Sequence, residues 1–367
     1  MRLGTQIRIG ALTSAAIVSL LATAGWSQSL TWLGSLGGSG SWAYGVSNNG
    51  VVVGTAKNED GQERAFRWTA DGGMREIDTR WSVARGVSAD GSVVVGWTYI
   101  TPGGQRAFRW TETEGIQLLD IFDSNTSEAY GVSANGTAVV GWFVNDSGLK
   151  RAFRWANGSV DDLGTLPGDL YSEAWGVSAD GSVVVGFSTD ASGRSRAFRW
   201  TADRGMQNLG VLPGGSFSSA HGVSADGRVV IGLSGYRAFR WTESDGMQDL
   251  GTLGGFRSIG FGISADGSVV VGSSENRGLQ ERAFRWTTTA EMENLTEIYN
   301  YLLPPDTSSY YLAIARAVSP NGRYIAGIGS NGGLIDAFLL DTVPEPASLL
   351  ALGAGLTGLL RLRRRTR

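Results

Sequence analysis

The chain has 367 residues, a formal net charge of −3, one histidine and no cysteine. The missing cysteine excludes a disulfide framework, thiolate metal sites and thiol catalysis. A lone histidine leaves too few imidazoles for a histidine-based metal site.

Residues 1–24 read as a signal peptide. Arg2 and Arg8 give a positive start, an uncharged and largely apolar run follows from Ile9, and Ala22 and Ala24 form the small-x-small pattern that precedes cleavage. The competing reading, a membrane anchor, suffers from the shortness of the run. The domain to be folded therefore spans 25–342. Without the seven arginines of the two ends and without Glu345, 24 basic and 33 acidic residues remain, a body near −9. That balance argues against nucleic acid as a partner.

Five residues, RAFRW, occur six times, starting at 64, 106, 151, 196, 237 and 282. A catalytic motif is needed once, so the period marks a recurring structural unit. Each unit of about 44 residues has four short segments. The first is A-x-G-V-S (43–47, 84–88, 129–133, 174–178, 220–224, with looser copies at 260–264 and 315–319), followed by a turn ending in Asn-Gly or Asp-Gly. A β-branched run such as SVVVG comes second, RAFRW third, and a stretch such as MQDLG fourth. All four are too short for helices and are bounded by turn residues, so each reads as a strand. Ser319-Pro320-Asn321-Gly322 fits a type I turn followed by a left-handed glycine.

Four strands per unit predict an all-β, seven-bladed β-propeller. Seven first, second and third segments can be counted, but only six fourth segments follow a third one. Leu30-Thr31-Trp32-Leu33-Gly34 supplies the missing strand, and is expected beside Ile335–Leu340 to close the ring. An open solenoid is the alternative; it would leave that segment unpaired. These same residues, RAFRW, MQDLGTLGG and GVSADGSVVVG, resemble the HAF family of extracellular repeats over about residues 30–340. The resemblance implies a fold and an extracellular setting. The family's usual histidine is arginine here in six copies and Asp336 in the last.

The repeated arginines are expected to be structural: within each unit the polar set is Ser, Asp or Asn, Arg and Trp, and a guanidinium bonded to a carboxylate or carbonyl would pin one strand to its hairpin neighbour. No catalytic residue is assigned and no cofactor or metal is expected. His221 is one variant of the x in A-x-G-V-S, where other units carry Tyr44, Arg85, Tyr130, Trp175, Phe261 and Arg316. If these seven side chains reach a channel mouth, they form a ring of aromatics and arginines suited to sugars or acidic polysaccharide; otherwise they pack between blades. A second candidate is the period-breaking stretch 296–313 with Tyr299, Tyr301, Tyr310 and Tyr311, which a short helix capping one junction also explains. The S-A-D-G turns differ from the Asp box of sialidases, because glycine follows Asp directly.

At the C-terminus, Val343-Pro344-Glu345-Pro346 precedes an apolar stretch at 347–360 and an arginine-rich end. As a helix that stretch is about 21 Å long, a short transmembrane helix whose arginines would stay on the cytoplasmic side. Residues 343–367 resemble the PEP-CTERM sorting signal of Gram-negative bacteria. The resemblance implies an inner-membrane-anchored precursor, an exosortase as processing partner and display at the cell surface or in the extracellular matrix; a plain tail anchor is the alternative. The expected function is that of a non-enzymatic surface or biofilm-matrix protein binding exopolysaccharide or another envelope protein. The alternative is a polysaccharide-active hydrolase or lyase on a propeller scaffold.

Overall fold

The computed structural model describes residues 28–100, 103–305 and 308–342. The expected signal peptide at 1–24 and the expected transmembrane helix of the sorting signal at 343–367 lie outside the described residues. Among those described, no helix is long and apolar enough to cross a membrane.

Twenty-eight strands form seven four-stranded sheets. Blades 1 to 6 each take four consecutive strands in chain order, paired antiparallel with their neighbours. In blade 1 these are Gly37–Val46, Val52–Asn58, Glu63–Thr69 and Gly73–Glu76. Blade 7 is assembled from both ends. Ser29–Trp32 pairs beside Leu334–Asp341, which continues through Tyr324–Asn331 to Tyr310–Val318. The Leu33 amide donates to Ala337 O at 2.9 Å, as Ile77 does to Ala65 O inside blade 1, and Trp32 meets Phe338 edge-on at 6.3 Å. The ring is closed by the N-terminal strand.

The Ala-Phe pair of the repeated pentapeptide explains why the blades stack. Both residues are fully buried in all seven copies. They alternate across the strand and so face opposite neighbours. Ala65 of blade 1 packs in one cluster with Phe108 of blade 2, and Ala107 of blade 2 with Phe153 of blade 3. The series runs round to Ala337 of blade 7, which shares a cluster with Phe66 of blade 1. A small residue on one side and a large one on the other let every sheet fit the next; each buried Phe contributes about 2–3 kcal/mol by burial.

Two hydrogen-bond devices join the blades. The outer strand takes the carbonyl of the RAFRW alanine and then leaves, so the alanine N–H would be orphaned in the core. A fully buried serine from the next blade's inner strand accepts it: Ser82 from Ala65, Ser127 from Ala107, Ser172 from Ala152, Ser218 from Ala197, Ser258 from Ala238 and Ser41 from Ala337, at 2.9–3.1 Å. On one face, the turn after each G-V-S gives a second device. The amide after the serine donates to the same position of the next blade, from Asn48 to Ala89, Ala134, Ala179, Ala225, Ala265 and Pro320 O. Pro320 has no N–H to close the circle. Asn321 does it instead, donating its amide to Asn48 Oδ1 at 2.8 Å. The two exceptions to Ala at this position, Pro320 and Asn48, thus face each other across the closing junction.

Inside the turns, Ser88 Oγ donates to Asp90 Oδ1 at 2.6 Å, and Ser178, Ser224 and Ser264 do the same to Asp180, Asp226 and Asp266. Glycine follows at φ of 71–78° in all seven turns, the left-handed position the sequence predicts. Ser and Asp of the turn pair without the arginine. The second RAFRW arginine also reaches the next blade's turn: Arg154 Nε donates to Gly181 O at 2.6 Å and Arg199 Nε to Gly227 O at 3.0 Å. Within its own blade, Arg154 pairs with Asp161 at 2.9 Å on the adjacent outer strand, the expected pinning of a strand to its hairpin neighbour. Arg285 pairs with Glu293 on its own outer strand. The side chain is long enough to span the blade gap, whereas Asp is already satisfied by Ser Oγ and a backbone amide two residues on.

Candidate ligand-binding ring on the propeller axis

The inner strands of neighbouring blades lie side by side all the way round. Each carries a β-bulge at the same place, between the Ala and Gly of A-x-G (Gly260 and Gly262 in blade 6, Ala315 and Ala317 in blade 7). The bulged residue is x. An extra residue there re-aims its side chain. The glycine closing the opposing V-V-V-G run sits where a Cβ would fall 1.9 Å from the carbonyl of Val83 in blade 2 or Glu128 in blade 3, so only glycine allows the inner strand to approach.

The seven bulged side chains are all half-buried and touch in sequence. The Arg85 guanidinium lies over Tyr44 at 4.6 Å and over Tyr130 at 5.4 Å. Tyr130 meets Trp175 at 5.7 Å, Trp175 stacks on His221 at 4.8 Å, and His221 on Phe261 at 5.6 Å. Arg316 lies over Phe261 at 4.3 Å and interacts electrostatically with Tyr44 and Arg85. Six of the seven junctions are ring or cation–π contacts, and the seventh, between Arg316 and Tyr44, is electrostatic.

Its chemistry is asymmetric. Arg85 and Arg316 flank Tyr44, and neither forms an ion pair among the described residues. The Nε atom of each is buried without a hydrogen-bond partner. Burial, with Arg85 nearby, lowers the Arg316 pKa from its ordinary value. On the far side, His221 Nδ1–H donates to Gly260 O at 2.7 Å and Ser219 Oγ donates to Nε2 at 2.9 Å. Burial between two aromatic rings pushes its pKa down to about 4, so the imidazole is neutral at pH 7.

A second tier stands two residues earlier on the same strands. Glu128 hydrogen-bonds Tyr130, Trp175 Nε1 donates to Glu173 at 3.2 Å, and Lys150 Nζ reaches Glu173 at 2.8 Å while lying over Trp142 at 3.9 Å. Gln105 Nε2 donates to Glu128. Burial raises the Glu128 pKa, against the pull of Tyr130 and Arg85. Sequence reasoning missed Glu128 and Glu173. The period-2 alternation of a strand was the available signal, since residues i and i−2 share a face.

Of the tyrosines of 296–313, Tyr299 and Tyr301 meet at 6.4 Å, but the four do not form one cluster. A helical turn, Leu295–Ile298, and a 3₁₀ turn, Asn300–Leu302, occupy the stretch. Tyr299 is core, Tyr301 is exposed, Tyr310 and Tyr311 begin the inner strand of blade 7, and Arg282 covers Tyr311 at 4.4 Å. Among the described residues no cluster could hold a metal ion.

Residues 342–365 match the model of the PEP-CTERM protein-sorting motif. The motif implies export as a membrane-anchored precursor and processing by an exosortase. No curated protein matches the chain in sequence. Solved structures are similar in fold. Oligogalacturonate lyase from Vibrio parahaemolyticus superposes with a TM-score of 0.57 at 12% identity, over 86% of this chain and 94% of that one. A puromycin-hydrolyzing peptidase from Mycobacterium tuberculosis gives 0.56 at 16%, over 86% and 51%. TolB from Acinetobacter baumannii gives 0.47 at 15% over 67% of this chain, which spans 63% of that protein's length. At these identities the likeness is one of fold alone.

Proposed function

We propose that this protein is a non-enzymatic component of the cell surface or extracellular matrix, sorted by its PEP-CTERM tail, whose axial ring binds an acidic polysaccharide. One observation carries the reading: two half-buried guanidiniums without ion pairs flank a tyrosine in an otherwise aromatic ring. Arginine forks match carboxylates in two-point geometry, and the aromatic arc offers flat faces for sugar rings. The HAF-like repeat agrees with an extracellular setting. The sorting motif is likewise consistent with a Gram-negative surface and a biofilm polymer as partner.

One feature favours the alternative, a hydrolase or lyase acting on polysaccharide: Glu128 and Glu173 stand beside the ring, and burial raises the Glu128 pKa. Gln105, Tyr130, Trp175 and Lys150 already engage both carboxylates, which suits a structural role. Incubation with polygalacturonate, followed for retention and for released oligosaccharide together, tests both readings. Retention without release is expected. Release that disappears in Glu128→Gln overturns the non-enzymatic assignment, and loss of neither property in Arg85→Ala/Arg316→Ala overturns the ring as the site.

A further inference from the structure

Away from the axis, blade 5 departs from the repeat. Its second and third strands, Val230–Ser234 and Arg237–Thr242, are joined by Gly235-Tyr236 alone, where blade 3 uses 145–149. The short hairpin leaves a groove of about 1020 Å³ between blades 5 and 6. Its rim holds Phe256, 74% exposed, Tyr236 and Leu279, with Phe217 set edge-on to Tyr236 at 6.1 Å. Leu279 sits at φ 58°, a conformation that costs a side-chain-bearing residue energy and here presents an apolar group to water.

The groove is preformed. The Gly235 amide donates to Phe217 O at 2.9 Å, Ser258 to Tyr236 O at 3.0 Å, and Leu212 to Ser234 Oγ at 2.9 Å. Its charges cancel: Arg237 pairs with Asp249 at 3.1 Å and Arg257 with Glu275 at 4.0 Å, while the Arg257 guanidinium also lies over Tyr236 at 5.1 Å. Two carboxylates and two guanidiniums offer acceptors and donors with no net charge beside exposed aromatic faces. Hydroxyl-rich rings with apolar C–H faces have the matching chemistry, whereas an acidic polymer gains nothing here that the axial ring does not supply better.

We propose that this groove binds an uncharged polysaccharide strand, as a site separate from the axial ring, so that one molecule bridges a neutral and an acidic polymer. The groove as a site does not depend on the ring; the bridging rests on the ring's proposed function.

Affinity electrophoresis of the propeller-containing protein in gels cast with hydroxyethylcellulose, galactomannan or polygalacturonate tests it. Wild-type protein should be retarded by at least one neutral polymer. Tyr236→Ala/Phe256→Ala should weaken that retardation at least tenfold and leave polygalacturonate binding intact, with unchanged thermal unfolding because both rings are exposed. Arg85→Ala/Arg316→Ala should leave neutral binding intact. No retardation of wild type by either neutral polymer, equal retardation of the groove variant, or loss of neutral binding in the ring variant would each overturn the proposal. Failure of polygalacturonate binding alone would overturn the ring and spare the groove.

Discussion

The two faces of the propeller obey different rules. One is built from the seven S-x-[DN]-G turns and the hairpins between third and outer strands, and its hydrogen-bonded circle runs from Asn48 through each turn to Asn321. The other is built from the remaining hairpins and the links between blades. Of the twelve large apolar side chains exposed among the described residues, eleven lie on this second face, Leu118 being the exception. Asp341, after which the chain enters the sorting motif, ends its strand on the first face. The difference teaches where repetition is enforced. A residue in the turn circle gives its backbone amide to one neighbouring blade and its carbonyl to the other, so the backbone of these turns can hardly vary. A hairpin on the other face touches little, and can change length and chemistry as at Gly235-Tyr236 without disturbing the ring.

Removing the closing strand should have the largest effect and damage both faces alike. Deletion of 29–36 exposes the edge of Leu334–Asp341 and removes Trp32 and buried Leu33, a loss of several kcal/mol. Thermal unfolding of the deleted protein at an unchanged temperature would contradict closure. Next in size, Phe108→Ala and Phe198→Ala should each cost about 3–5 kcal/mol, measured by urea unfolding. Similar values are expected because both rings fill the same place between blades; one near zero would break the equivalence of the junctions.

A smaller loss is expected from the serines. Ser127→Ala orphans the buried Ala107 amide and should cost about 1–3 kcal/mol, whereas exposed Tyr301→Ala on the variable face should change stability by less than about 0.5 kcal/mol. A reversed order in paired chemical denaturation would remove the distinction drawn between constrained and variable positions. A further effect is tied to pH and is read from the profile instead of at one pH. Because the folded His221 titrates near 4, below the unfolded value of 6.5, the unfolded chain takes up the proton first. Stability should therefore be full above pH 6.5 and fall as the pH drops from 6.5 to 4. His221→Phe should flatten that part of the profile in melts across pH 4–7, after allowance for the carboxylates titrating near its acid end.

The fold was legible in the sequence because its signals are counted. Seven copies of one pattern with a fourth strand missing at one end and present at the other leave little freedom, and Leu33 and Ala337 meet accordingly. The partners of Arg154 and Arg199 were not legible, since a repeat gives each residue's place within a unit and is silent on which neighbouring unit a long side chain reaches. The ring was half legible. The x position stood out as variable, but that it is the bulged residue depends on pairing with the second strand, and a bulge leaves no mark in composition. Glu128 and Glu173 were hidden because only blades 3 and 4 carry acids at that place.

Binding of polygalacturonate by the intact protein, measured by isothermal titration calorimetry across ionic strength, tests the axial ring most directly. The ring assignment predicts that Arg85→Ala/Arg316→Ala lowers affinity at least tenfold with thermal unfolding no worse than wild type, since the two unpaired guanidiniums serve the ligand more than the fold. Unchanged affinity in that variant, or lost affinity only in step with lost folding, would contradict it.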